Sequence, residues 1–241
     1  MSLVVSLLSS FPCHNVTAFT MEHCTLSSET ELEDILVLLP HLESLQIKRS
    51  ARIPYPLPDQ GEQTCHWPKL TRIELYEPDI PVYIIFDLLH ASPVESLTIS
   101  DCDWPHEQDY SGIARYITLR SIEIVTPPYN LVLLTEVLSH VRSTVLGEVA
   151  INVIVTDEFE NGRLDWQEGL AEIRDIGSRV DVLAAPSAFP SLGLVSLTFL
   201  HESAEVSGLD EEFREGLESC LPQRKQRGIL RTSIRQHKDS E

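Results

Sequence analysis

The chain is short of basic residues, of paired cysteines, of glycine and of long apolar runs, and each shortage removes a class of function. Only 18 lysines and arginines stand against 37 acids in 241 residues, a formal charge of −19. Such a balance repels a phosphate backbone or an anionic membrane surface unless a local basic patch intervenes, so neither nucleic acid nor membrane is an expected partner. The five cysteines, at 13, 24, 65, 102 and 220, are odd in number and contain no C-x-x-C. They do not form the paired framework of a secreted disulfide scaffold, and a reducing, intracellular setting, cytoplasmic or nuclear, is expected. Ten glycines leave little material for phosphate-cradling loops, and G-x-S-x-G, G-x-x-x-x-G-K-[ST], H-E-x-x-H and Rossmann fingerprints are all missing. No stretch approaches the roughly 18 consecutive apolar residues of a membrane span. The apolar start, residues 1–12, has no basic n-region and predicts a helix ending at Pro12 rather than a signal peptide.

What is present is a repeated phrase. Pro40-His41-Leu42-Glu43-Ser44-Leu45-Gln46-Ile47 is matched position for position by Pro68-Lys69-Leu70-Thr71-Arg72-Ile73-Glu74-Leu75, and nearly so by Pro93-Val94-Glu95-Ser96-Leu97-Thr98-Ile99. This is the L-x-x-L-x-L strand phrase of a leucine-rich repeat. Val16 to Cys24 fills the longer L-x-x-L-x-L-x-x-C template. First positions fall at 16, 42, 70, 94, 119 and 146, with spacings of 26, 28, 24, 25 and 27 residues, within or close to the period of about 20–29 residues.

A unit of about 25 residues cannot offset an ordering entropy of about 1–2 kcal/mol per residue with four or five aliphatic side chains worth about 1.5–3 kcal/mol each. Stacking is therefore obligatory. The expected fold is an α/β leucine-rich-repeat solenoid with parallel strands on the concave face and helices or loops on the convex face, a single domain over 1–241. Regular repeats occupy 16–155, an acidic insertion about 156–190, and a closing strand, helix and strand 191–234.

Helical spacing predicts helices over 32–39, 81–90, 130–141, 164–179 and 210–221, the last stopped by Pro222 ahead of basic Arg224, Lys225 and Arg227. Alternating prolines make 53–61 an extended loop, and 103–118 reads as an irregular connection. The phrase after Pro190 can be framed from Leu192 or from Leu194; either framing sends Val195, Leu197 and Phe199 to one strand face.

Strand alternation sends Leu45 and Ile47 inward and Ser44, Gln46 and Lys48 outward. The same rule exposes Thr20, Glu22, Arg72, Glu74, Tyr76, Ser96, Thr98, Ser100, Ser121, Glu123, Glu148 and Asn152. This column is polar, mixed in sign and carries one aromatic, and concave faces of this kind are recognition surfaces in solenoids. Protein binding through this column, or through the insertion, is the expected activity, and no catalytic residue is assigned.

Other chemistry is weaker. Cys13-His14, His23-Cys24 and Cys65-His66 offer zinc-compatible types without a recognised spacing, and no metal or cofactor is expected. Cys24 and Cys102 sit where the template turns a small side chain inward, and read as packing residues. Asp101 and Asp103 fit a turn. Asn15-Val16-Thr17 matches a glycosylation pattern that matters only in a secreted chain.

With the repeats placed, the chain resembles the leucine-rich-repeat region of F-box-type proteins of mushroom-forming fungi. The likeness rests on the Pro-x-Leu-x-x-Leu-x-Ile phrases after short helices. It also rests on the ending from Leu209-Asp210-Glu211-Glu212-Phe213 through Leu221-Pro222 to Arg227-Gly228-Ile229-Leu230-Arg231, and it spans residues 16–234. It implies the substrate-recognition arm of a cullin-RING ubiquitin ligase, in which an F-box docks to the adaptor and the repeats hold the target. No F-box fits within residues 1–12, so an adaptor is an expected partner only where an F-box lies upstream. The alternatives are an independent repeat scaffold, a truncated remnant, and, behind these, a hydrolase or metal-dependent enzyme.

Overall fold

The computed structural model describes residues 13–24, 26, 29–49, 67–77, 82–100, 110–127, 131–155, 187–201, 215–216, 218–219 and 221–236. The chain forms two compact units, Met1–Leu119 with His140–Ser143, and Arg120–Ser139 with Thr144–Glu241. In the first, β1 (Ala18–Glu22), β2 (Ser44–Lys48), β3 (Arg72–Tyr76) and β4 (Ser96–Ser100) lie parallel in chain order. Their register runs Phe19 to Leu45 to Ile73 to Leu97. Helices α1 (Glu29–Val37) and α2 (Val82–Leu88) and 3-10 turns Cys13–Asn15 and Ser111–Arg115 complete it. The second unit holds β5 (Ser121–Thr126), β6 (Glu148–Val155), β7 (Leu194–His201) and β8 (Leu230–Gln236), again parallel in chain order, with α3 (Leu131–His140) and α4 (Pro222–Gln226).

The period-2 pattern accounts for the strands. Leu45, Ile47, Ile73, Leu75, Leu97 and Ile99 are all at most 1 % exposed, and each buried aliphatic stabilises the fold by about 1.5–3 kcal/mol. In the second unit Ile122, Val149, Ile151, Val153, Val195, Leu197 and Phe199 are likewise buried. The strand phrase after Pro190 is framed from Leu192, which is buried two residues ahead of the first strand residue, Leu194.

Backbone hydrogen bonds repeat with the phrase. The residue before β1, β2, β3, β5 and β6 offers its carbonyl to two consecutive N–H groups of the next repeat: Thr17 to Glu43 and Ser44, Glu43 to Thr71 and Arg72, Thr71 to Glu95 and Ser96, Arg120 to Gly147 and Glu148, and Gly147 to Gly193 and Leu194. Three residues ahead of the first leucine-type position stands a buried residue whose carbonyl caps the turn: Cys13 for Val16, Leu39 for Leu42, Trp67 for Leu70, Tyr116 for Leu119 and Phe189 for Leu192. These side chains are core that the L-x-x-L-x-L template does not name. Trp67 is 3 % exposed, and its indole N–H donates to the Leu36 carbonyl at 2.9 Å, locking the turn to the end of α1.

The connection expected to be irregular before β5 is instead built around the 3-10 turn Ser111–Arg115, with Tyr110, Ile113 and Tyr116 buried. The Tyr116 ring meets Phe86 edge-on at 5.8 Å, and its hydroxyl donates to the Phe86 carbonyl at 3.4 Å. Burial, reinforced by the Asp87 carboxylate, pushes the Tyr116 phenol far above its ordinary value and keeps it a donor. Gly112 permits this approach, since a Cβ there would lie 2.9 Å from Phe86 Cβ.

Two further expectations are corrected. Residues 215–216 and 218–219 are helical and the helix does not run through Leu221, while Pro222 also opens α4, in the first turn, where its missing N–H has no partner to lose. Arg224, read as a basic residue just past a helix end, is fully buried within α4. Cys24 does not pack inward: it is half-exposed and its thiol turns to the Glu22 carbonyl at 3.3 Å, because His23 before it adopts a left-handed backbone, φ 50°, that swings the chain out of the strand. Helix α1 ends at Val37, short of Pro40, and a tight turn from Leu38 and Leu39 back to Ile35 and Leu36 finishes it. The helices expected over 1–12 and 164–179, the loop 53–61 and Cys102 lie outside the described residues, as does most of the insertion.

Candidate functional site

The outward residues of β1–β4 form three rows set by the register. Ser44, Arg72 and Ser96 make the first, Thr20, Gln46, Glu74 and Thr98 the second, and Glu22, Lys48, Tyr76 and Ser100 the third. The second row is a hydrogen-bonded ladder. The Thr20 hydroxyl donates to Gln46 Oε1 at 3.2 Å, and Gln46 Nε2 donates to Glu74 Oε2 at 2.8 Å. In the third row Lys48 Nζ lies 5.7 Å from the centroid of the Tyr76 ring, a cation–π contact worth about 0.5–1 kcal/mol at an exposed site.

Two members of the predicted column are not on the surface. Thr98 and Ser100 point outward but are only 8 % and 9 % exposed. Alternation fixes the face and not the depth: Thr98 and Ser100, register neighbours of Glu74 and Tyr76, are buried, whereas Ser96, the neighbour of Arg72, is half-exposed. Exposed Arg72 and Thr20, and half-exposed Ser44, Gln46, Lys48, Glu74, Tyr76 and Ser96, carry the accessible surface of this unit together with Glu22.

A fourth row was not legible from the template. His23, Arg49 and Glu77 each follow a strand, each adopts a left-handed backbone with φ of 50°, 40° and 43°, and each donates its N–H to the last strand residue of the next repeat: Lys48, Tyr76 and Ser100. Arg49 Nε pairs with Glu77 Oε2 at 3.0 Å. The identical fold of the chain at three repeats aligns these side chains, and a non-glycine residue there carries about 1–2 kcal/mol of strain.

In the second unit Ser121 and Glu148 are register neighbours, and Asn152 Nδ2 donates diagonally to Glu123 Oε1 at 2.7 Å. The Thr198 and Ser233 hydroxyls bond at 3.0 Å. Beyond Asn152 the outward face turns apolar, with buried Ile154 beside half-exposed Leu200. The polar column of β6 therefore ends at Asn152.

Among the described residues no three His, Cys, Asp or Glu side chains come together as a metal set; Cys65 and His66 of the expected trio lie outside those residues. Among the described residues no helix is long and apolar enough to cross a membrane. No family model matches the chain, and no curated protein matches it.

Proposed function

We propose that this chain is a non-enzymatic protein-interaction module of leucine-rich-repeat type that holds a protein target on the outward face of β1–β3. One observation carries the reading: the second-row side chains are tied across strands, Thr20 to Gln46 to Glu74. Polar groups held in this way lose little conformational freedom when a partner arrives, which lowers the cost of association. Beside them Tyr76 and Arg72 supply the residue types that dominate binding hot spots. The regular pairing in chain order and the recurrent two-to-one carbonyl contacts support a solenoid of stacked repeats.

In its fuller form, the proposal makes this face the target-holding part of an intracellular F-box-type ubiquitin-ligase receptor. That role needs an F-box upstream to bind the adaptor, and without one the chain acts as an independent scaffold. Affinity capture with the wild-type chain and with an Arg72→Glu, Glu74→Arg, Tyr76→Ala variant tests the shared part. Targets held by the wild type and lost by a folded variant support it; full retention by the variant rejects it.

A further inference from the structure

The terminal strand of the second unit carries a second, independent surface. Among the described residues β8 pairs with β7 alone, and the Val195 N–H donates to the Ile229 carbonyl at 2.8 Å. In a parallel ladder alternate residues turn both backbone groups to one neighbour. Residues 231, 233 and 235 therefore serve β7, and the N–H and C=O of Leu230, Thr232 and Ile234 face away from it, toward an edge that no other described strand pairs. The inward side chains of those three residues are half-exposed, whereas their β7 counterparts Val195, Leu197 and Phe199 are at most 2 % exposed. Thr232 is held from below by Glu218, which Lys225 Nζ anchors at 2.8 Å. On the outward side Arg231 and Arg235 are exposed, and their β7 neighbours are Ser196 and Leu200, not acids. Neither guanidinium forms an ion pair with another described residue.

We propose that the β8 edge accepts an extended segment of a partner protein as an added strand, with apolar residues alternating with acidic ones. The backbone edge supplies the hydrogen bonds, the half-exposed inner row receives the apolar side chains, and Arg231 and Arg235 receive the carboxylates. A second copy of the chain fits less well. Antiparallel pairing of two β8 strands about Ser233 sets Arg231 of one copy opposite Arg235 of the other, and like charges in that position are destabilising. Two cations without an ion pair among the described residues, at the edge of a chain of charge −19, select an acidic strand and repel a basic one. This inference does not depend on the outward face of β1–β3.

The test is fluorescence anisotropy at low salt with the 241-residue chain and a labelled eight-residue peptide of alternating valine and glutamate. The expected result is saturable binding, weakened roughly tenfold or more in an Arg231→Glu, Arg235→Glu variant, which then prefers the valine–lysine peptide; tenfold corresponds to about 1.4 kcal/mol. Peptides N-methylated on alternate residues, one in each register, need no variant of the protein. At least one must lose binding to the wild type. No binding of the valine–glutamate peptide, or unchanged binding of both methylated peptides, overturns the proposal. Retained affinity in the charge-reversed variant, with its circular dichroism unchanged, also overturns it.

Discussion

Gln46 and Glu74 occupy register-matched outward positions of β2 and β3, and the Gln46 amide donates to the Glu74 carboxylate at 2.8 Å. The amide oxygen of Gln46 meanwhile accepts from Thr20. One side chain thus joins three strands, and both ends of its amide are fixed by partners of the matching kind.

A double-mutant cycle on Gln46→Ala and Glu74→Ala, followed by urea unfolding, should return a coupling of about 0.5–1.5 kcal/mol. The bond is part-buried, so the coupling should survive added salt better than that between Arg49 and Glu77, which is exposed. Additive single effects would show that the ladder is formed but energetically idle.

At His23 the backbone is left-handed with φ 50°, and relief of strain opposes the extra chain entropy of glycine. His23→Gly should leave stability unchanged or raise it by up to about 1 kcal/mol, and His23→Val should lower it by more than about 1 kcal/mol. Thermal unfolding of both variants gives the sign directly.

Gly112→Ala should destabilise by about 1–3 kcal/mol, because the added methyl meets Phe86 Cβ at 2.9 Å and Asp87 Oδ1 at 3.1 Å. The loss should be similar in a Phe86→Leu background, because leucine keeps the Cβ that the methyl meets.

Tyr116 gives a pH signature. Its phenol is raised in the folded chain, so the proton is held more tightly folded than unfolded. The stabilisation is fully present below the unfolded value near pH 10 and declines above it. Tyr116→Phe should cost little at neutral pH and lose less stability than the wild type between pH 9 and about 11, as read by chemical unfolding at each pH. Equal alkaline losses in the two proteins would contradict this.

Much of this scaffold was readable from the sequence, because strand alternation and the spacing of Leu42, Leu70 and Val94 depend on local pattern alone. Exposure did not follow so simply, since Thr98 and Ser100 are buried at outward positions where Ser96 of the same strand is half-exposed. Pro222 follows one helical stretch and opens α4, a second role that the sequence did not signal, because proline is compatible both with the end of one helix and with the first turn of the next. The buried residues three places ahead of each repeat, Trp67 and Phe189 among them, left a signal in their position directly before Pro68 and Pro190. The left-handed Arg49 and Glu77 left none, because neither residue type favours that backbone, and the enrichment of histidine there is too weak to mark His23.

The proposal that the outward face of β1–β3 holds a protein target is tested most directly by site-specific photo-cross-linking. A photoreactive residue is placed at Lys48 or Ser44 on that face, or at exposed Asp34 on α1, in extracts of cells that make the protein. The same discrete adducts should form from Lys48 and Ser44 and be competed by unmodified protein, with none from Asp34. Equal adducts from all three positions, or from Asp34 alone, would contradict it.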